Sequence, residues 1–380
     1  MDSSPALQAL HWLDERRDEM LALLEQLVLA ESPSTDPGSQ ELVFALLGQP
    51  LRQLGFRLLR LPGKTTGGAL LARQRRRGPA QLVLGHTDTV WPHGTLARQP
   101  FRVDGDRVSG PGTYDMKAGL VQLVFALKAM AALGLDPALQ PVLLLNADEE
   151  IGSPESTRHV TRLARVVRRA LVLEPSFGPC GHLKTARKGV GNYVIHVDGR
   201  AAHAGLEPEK GVSAIRAIAE IVRDVYALEN AAGGLTLNVG QLEGGTRPNV
   251  VAAHAYAVVD VRAPSPADAE RVDRAIRGLR PGHPEAAIRV DGGFMRPPMP
   301  RRTDLDPLVR IATNSAKELG FDLEERMAGG GSDANTTARF VPTLDGLGAL
   351  GDGAHATHEH ISLASLPRRA ALLAAVLTAG

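Results

Sequence analysis

An open α/β sheet interrupted by a smaller α+β domain is the fold that this chain of 380 residues predicts. Three observations carry the prediction. The apolar runs Leu82–Leu84, Pro141–Leu145 and Leu171–Leu173 break off into G-H-T-D-T, N-A-D-E-E and E-P. Short apolar runs of this kind read as buried strands, and in open α/β sheets sites collect at the carboxyl ends of strands. From residue 188 the pattern changes to the order β-α-β-β-α-β, which favours a ferredoxin-like sandwich. The length also exceeds what one hydrophobic core usually supports, so two domains are expected.

The elements follow in order. Leu7, Leu10 and Leu13, resumed by Leu21, Leu24, Leu27 and Val28, make an amphipathic helical start. Residues 40–55 read as a helix. Residues 117–133, KAGLVQLVFALKAMAAL, form a helix apolar on every side, suited to a place between layers. Past residue 188, Tyr193–Val197 alternates as a strand, followed by a helix over 209–229, strands over 235–242 and 254–262, a helix over 266–279 and a strand over 286–290. The segment 291–303, DGGFMRPPMPRRT, is rich in Pro and Gly and reads as a linker. A helix over 305–319, a Gly-rich turn at 329–331 and an apolar helix over 364–378 complete the chain. The division expected is 1–187 with 296–380 as one domain and 188–295 as the inserted one.

Composition excludes several classes. Lys and Arg number 43 against 42 Asp and Glu, so no general electrostatic drive toward nucleic acid or an anionic membrane exists. The basic run RQRRRG at 73–78 reads as a solvated turn. The single cysteine, Cys180, excludes an intrachain disulfide and a Cys-rich zinc site. The first residues lack a basic segment followed by an apolar one, and no stretch reaches the roughly 20 apolar residues that span a bilayer, so a cytoplasmic protein is expected.

The chemistry-bearing residues are histidines and acids. His86 and Asp88 form H-x-D at a strand end, where Asp88 could orient the ring toward a metal or form a structural pair. Asp115, in S-G-P-G-T-Y-D-M-K-A-G, precedes a helix and reads either as its N-cap or as a carboxylate bridging two metals. Glu149 and Glu150 follow a strand directly; adjacent acids there repel unless a cation or proton lies between them, and their divergent directions suit one ligand and one general base. Glu174 adds a fourth carboxylate, and His355, after the Gly-rich stretch GALGDGA, suits a ligand on a loop; His358 and His360 read as surface residues. Two histidines with several carboxylates and no cysteine suit Zn²⁺, Co²⁺ or Mn²⁺, and several acids together suit a pair of cations.

In this order H-T-D-T-V, G-P-G-T-Y-D-M-K-A-G, N-A-D-E-E-I-G-S, L-E-P, A-A-H-A-G, G-G-T-R-P-N-V-V, G-G-G-S-D-A-N and G-A-H-A-T-H-E resemble the di-zinc metallopeptidases that include glutamate carboxypeptidases, succinyl-diaminopimelate desuccinylases, acetylornithine deacetylases and aminoacylases. The likeness is greatest to bacterial glutamate carboxypeptidases. It implies a zinc-peptidase-like catalytic domain with a dimerisation and lid domain inserted. It implies two zinc ions: His86 and Glu174 on one, Glu150 and His355 on the other, Asp115 between them through a peptide to Met116 that is often cis, and Asp88 orienting His86. Glu149 would be the general base as a hydroxide held by the metals attacks an amide carbonyl, and His203 would reach the partner subunit of a homodimer to stabilise the oxyanion. Asn249 and Arg262 would contact polar groups of the substrate, Arg296 its free carboxylate, and Gly330, with Ser332 and Asp333, would line the pocket. The implied activity is a carboxypeptidase releasing an amino acid such as glutamate. An N-acyl amino acid amidohydrolase is the alternative, and a non-catalytic binding protein on the same fold a distant one.

Overall fold

The structure, a computed structural model, describes residues 4–75 and 78–380; Arg76 and Arg77 of the basic run lie outside the described residues. The chain divides into two compact units. One comprises Met1–Thr185, Arg301–Ala328 and Ser332–Gly380, the other Ala186–Pro300 with Gly329–Gly331.

The first unit opens with α1 (Pro5–Asp14), whose N-terminus Ser4 caps by accepting from Leu7 N, with Pro5 pre-set for the first helical position. The leucine stripe does not continue through one helix: α2 (Arg17–Leu29) starts afresh after Glu15 and Arg16. The buried face of α1 is Ala6, Ala9 and Leu13, with Leu7 left exposed. The small residues face α10 (Ser365–Thr378), itself rich in buried alanines, so the helices pack through small side chains. Next along the chain come α3 (Gln40–Gln53), β1 (Arg57–Leu61), β2 (Ala69–Arg73), β3 (Ala80–His86), β4 (Arg102–Asp104), β5 (Arg107–Ser109), α4 (Ala118–Leu133), β6 (Gln140–Asn146), α5 (Thr157–Ala164), β7 (Ala170–Val172) and β8 (Leu183–Arg187).

After the second unit's elements, β9 (Gly189–Asp198), α6 (Ala214–Tyr226), β10 (Thr236–Gly244), β11 (His254–Ala263), α7 (Pro266–Arg277) and β12 (Ala287–Arg296), the first unit resumes with α8 (Asp306–Glu318), β13 (Glu325–Ala328), α9 (Asp333–Thr337), β14 (Thr343–Leu344), β15 (Gly351–Asp352) and β16 (His360–Ser362) before α10. Its main sheet has the order β1-β2-β6-β3-β7-β14. The pairs β6–β3, β3–β7 and β7–β14 are parallel, and β2 and β1 join antiparallel. Helix α4 is buried on nearly every side, as its sequence requires, and packs against α10, α1 and α2. Gly119 lets it approach β7's end, since a Cβ there would lie 2.4 Å from Leu173 O. By length and composition alone the run Thr113–Leu133 could cross a membrane, but most of it is buried in this unit, as the core helix of a folded domain is.

The second unit is a four-stranded antiparallel sheet of order β10-β11-β9-β12, with α6 and α7 on one face. The order β-α-β-β-α-β with these neighbours is the ferredoxin-like arrangement. Its core is built from alternate residues, Tyr193, Ile195 and Val197 of β9 and Ala257, Val259 and Val261 of β11, packed on Ile218, Ile221 and Val272. The linker expected at 291–303 is corrected in its first half: β12 runs on to Arg296, because Asp291–Arg296 continues to pair with β9 despite two glycines. A register shift between Phe294 and Arg296 is a bulge, and it changes which face Arg296 occupies.

Candidate metal centre

Parallel pairing brings three strand ends to one edge of the first unit's sheet. His86 ends β3 and lies opposite Asn146, the last residue of β6, while Leu84 lies opposite Val172, the last of β7. The segments carrying Asp88, Glu149–Glu150 and Glu174 therefore leave the sheet side by side.

His86 is fully buried. Its Nδ1 lies 2.9 Å from Asp88 O, and its Nε2 3.1 Å from Asp115 Oδ1 and 3.5 Å from Glu174 Oε1. The orienting role expected of the Asp88 carboxylate belongs first to the Asp88 main chain. The carboxylate stands 3.5 Å from Nδ1 because β3 has ended and Asp88 lies on a loop. There it accepts from Ser34 Oγ at 2.6 Å and from the main-chain N–H groups of Glu149 and Glu150 at 3.3 and 3.2 Å. Asp88 thus ties His86 to the Glu149–Glu150 turn.

Asp115 follows a tight loop, and its peptide to Met116 is cis. While Oδ1 faces His86, Oδ2 lies 3.5 Å from His355 Nε2, which in turn is 3.0 Å from Glu150 Oε2. His355 holds a left-handed backbone at φ 61°. Among the described residues, two triads bring one possible ligand atom each within 4.8 Å of one another: His86, Glu149 and Glu174, and His86, Asp115 and Glu150. His355 joins pairwise, through Asp115 and Glu150.

The electrostatics are those of acids lacking a cation of their own. Burial disfavours a charged His86 ring, yet hydrogen bonds to Asp115 and Asp88 raise its pKa well above the usual value. Hydrogen bonds to Asp115 and Glu150 push His355 up to about 10. Burial, followed by repulsion from Asp115, pushes Glu150 up to about 8. Burial also opposes ionisation of Asp115, but the two histidines hold its carboxyl far below the usual range.

These residues fit a metal pair on two grounds. With Nδ1–H donating to Asp88 O, a neutral His86 presents the Nε2 lone pair to the oxygens of Asp115 and Glu174. Lone pair then faces lone pair unless a proton or a metal ion lies between them. Glu150 Oε1 is moreover buried without a hydrogen-bond partner, a cost that coordination would remove. His86, Asp115 and Glu174 would hold one ion and Asp115, Glu150 and His355 the other.

Of the remaining expected site residues, His203, Asn249, Arg262, Arg296 and Gly330 lie in the second unit. His203 is exposed, and its Nδ1 accepts from Gly205 N and Leu206 N at 3.1 Å each. The proton of the neutral ring must then sit on Nε2, which is left as a donor. Asn249 is beside it, Asn249 O accepting from Ala204 N. Arg262, Val190 and Arg296 form one row across β11, β9 and β12. By strand parity Arg296 would share the helix-covered face with Val290, and the bulge turns it to the opposite face. Arg296 is buried there beneath Gly331, where a Cβ would meet its side chain at 3.1 Å. Arg262 is not free to reach outward, since Asp260 holds its guanidinium with two bonds of 2.8 Å. Ser332 and Asp333 are buried supports in the first unit: Asp333 accepts from Ser153 Oγ and Asn146 Nδ2, and Ser332 Oγ donates to Asp345.

Sequence reasoning missed two residues. Arg187, buried in the second unit, donates through Nη1 to Gly330 O at 2.9 Å; a lone arginine in T-A-R-K-G gave no signal. Glu359 is fully buried and accepts from the loop carrying Asp115. It closes the motif G-A-H-A-T-H-E, and its spacing from His355 was the available sign.

Comparison with known proteins shows the family and the fold. The chain is 29% identical over 363 residues to carboxypeptidase G2 of Pseudomonas sp. (strain RS-16), covering 93% of this chain and 88% of the relative. Its fold matches aminopeptidase PepT from Bacillus cereus at a TM-score of 0.77 and 22% identity, over 95% and 98% of the two chains. It also matches Bacillus subtilis YXEP, described as a dinuclear metal binding peptidase, at 0.71 and 14%, over 96% and 98%. The model of peptidase family M20/M25/M40 matches residues 82–379, and with that match spanning most of the chain, the protein is a metallopeptidase-type hydrolase of peptidase family M20/M25/M40.

Proposed function

We propose that the protein is a carboxypeptidase that hydrolyses the amide bond before a C-terminal amino acid such as glutamate, with two Zn²⁺ ions, replaceable by Co²⁺ or Mn²⁺, in the centre just described. The observation that carries this reading is Asp115 set between His86 and His355, one carboxylate oxygen toward each. When bound, the metals supply Lewis acidity toward a carbonyl oxygen and toward water.

The chain's own residues do the rest. Asp115, His86, Glu174, Glu150 and His355 hold the ions. Glu149, which shares a 4.8 Å cluster with His86 and Glu174, takes the proton of the attacking water and returns it to the leaving amine. His203 Nε2–H is a donor suited to a developing oxyanion. Because His203 is exposed in its own unit, we propose that it serves the centre of a second subunit in a homodimer formed through the inserted unit, whose edge strand β10 is exposed over most of its length. Arg296, beside Gly331 and in the row of Arg262, is the candidate to bind the substrate's free carboxylate. The 29% identity to carboxypeptidase G2 supports this substrate class.

The test is a panel of C-terminal glutamyl peptides and N-acyl amino acids offered to Zn²⁺-reconstituted protein. Release of glutamate, lost on chelation and restored by metal, supports the proposal. Preference for N-acyl amino acids would replace it with an amidohydrolase, and activity indifferent to chelators would remove the metal reading.

A further inference from the structure

The buried carboxylate of Glu359 is surrounded by donors, none of them from a neighbouring residue in sequence. Gly112 N and Trp91 Nε1 donate to Oε2 at 2.9 and 2.8 Å, and Tyr114 N and Asp115 N donate to Oε1 at 2.9 and 3.0 Å. A carboxylate has about four acceptor sites, so these four bonds saturate it. Three of the donors are main-chain groups of one loop, and one is the amide of Asp115 itself. Gly112 adopts φ 71° in that loop, where a Cβ would stand 2.5 Å from Thr89 Cγ2, so the chain is wound tightly around the carboxylate.

The other end of the connection is equally fixed. Two successive turns, Ala356 N to Gly353 O and Glu359 N to Ala356 O, join His355 to Glu359. Directly after them β16 pairs with β5, His360 opposite Ser109 and Ile361 opposite Val108. The Asp115 loop starts where β5 ends, so the pairing delivers Glu359 into the loop. Lys117 is buried nearby, its Nζ donating to Ala30 O at 3.0 Å.

We infer that Glu359 is a positioning residue for the metal centre: its carboxylate clamps the main chain carrying Asp115 to the segment carrying His355, and so sets the distance between the ligands on those two loops. The inference rests on the reading of Asp115 and His355 as metal ligands. Neither ligand has helical or strand backbone, Asp115 breaking the helical run at φ −114° and ψ 96° and His355 lying in the left-handed region, so the clamp replaces the rigidity that a regular element would give. A glutamine would keep the shape, yet its NH₂ group would face two of the four N–H donors and leave them unbonded in a buried place.

The experiment titrates metal-free wild type, Glu359→Gln, Glu359→Asp and Trp91→Phe with Co²⁺, following the visible absorption band and the stoichiometry, alongside circular dichroism and thermal melts of the metal-free forms. Wild type should bind two equivalents. Glu359→Gln should keep its fold and lose about 10–100-fold in affinity, with an altered band, the usual effect of removing a group that orients metal ligands. Glu359→Asp, which keeps two acceptor oxygens, should recover part of the loss, and Trp91→Phe, which removes one donor and leaves the acceptor, should lose about two- to tenfold. Wild-type affinity and spectrum in Glu359→Gln would overturn the inference, as would a metal-free form that no longer folds while Glu359→Asp binds no better. Failure of wild type to bind Co²⁺ would instead sink the metal reading, and the inference with it.

Discussion

In the first unit carboxylates converge on two histidines at the ends of parallel strands; in the second, arginines line up across a sheet face beside a glycine run. Among the carboxylates of the first unit, two kinds stand apart. Asp88, Asp148, Glu155 and Glu359 are satisfied by N–H and O–H donors. Asp115 and Glu150 face histidine rings instead, and Glu150 keeps an unbonded oxygen. In the second unit Asp260 neutralises Arg262, while Arg187 and Arg296 are buried arginines close to Gly330 and Gly331. A site short of cations suits metal ions, and a site rich in arginine suits an anionic substrate group. On the proposed function, the first unit would carry the chemistry and the second would recognise the substrate.

The largest effect should come from Asp115→Ala. It removes the carboxylate between the two histidines, so bound metal should fall from two equivalents toward none, and kcat/KM by about 10⁴-fold or more, the loss of several kcal/mol of metal-derived stabilisation. Two equivalents of zinc retained in this variant, by elemental analysis, would break the assignment. Glu149→Gln comes next: metal content unchanged, kcat lower by about 10²–10⁴-fold, as expected for a lost general base. A near-normal kcat would move that role to another group.

The opposite signature is expected across the comparison. Arg296→Ala should raise KM by about 10–100-fold for a substrate with a free carboxylate and leave metal content unchanged, since one charged hydrogen bond is removed and none of the acid cluster is touched. If it lowers kcat and metal content instead, the division of labour between the units is wrong.

What could be read in the sequence follows the same division. The strand ends were legible because apolar runs stop abruptly at His86, Asp148 and Glu174, and period and polarity change together there. The ferredoxin-like order was legible because its strands alternate cleanly. The extension of β12 to Arg296 was not, since glycines and prolines mask a strand whose partner supplies the ladder, and a bulge that reverses a side chain leaves no periodic trace. The hydrogen bond from His86 to the Asp88 main chain was also hidden: side-chain spacing says nothing about a carbonyl. Glu359 could be quoted within a motif but given no role, because its partners lie more than 240 residues away.

The smallest effect concerns an acid that donors alone satisfy. Glu155 follows the Glu149–Glu150 turn and accepts from Lys64 N, Thr65 N and Oγ1, and Thr66 Oγ1. Despite some burial, these bonds lower its pKa from 4.5 to about 2. A depressed folded-state pKa contributes stability that is present above the unfolded value and is lost as pH falls through the folded one. Wild type should thus be more stable than Glu155→Gln by no more than about 1 kcal/mol at pH 7, given its exposure to solvent, and the gap should close between pH 4.5 and 2. Denaturant melts of both proteins at pH 7, 4 and 2.5 measure it. A gap independent of pH would mean that the carboxylate's charge contributes nothing, and that Glu155 holds the 64–66 loop by shape alone. Activity should follow stability only: Glu155→Gln at pH 7 should keep wild-type metal content and kcat, because its carboxylate belongs to the set that the protein's own donors complete.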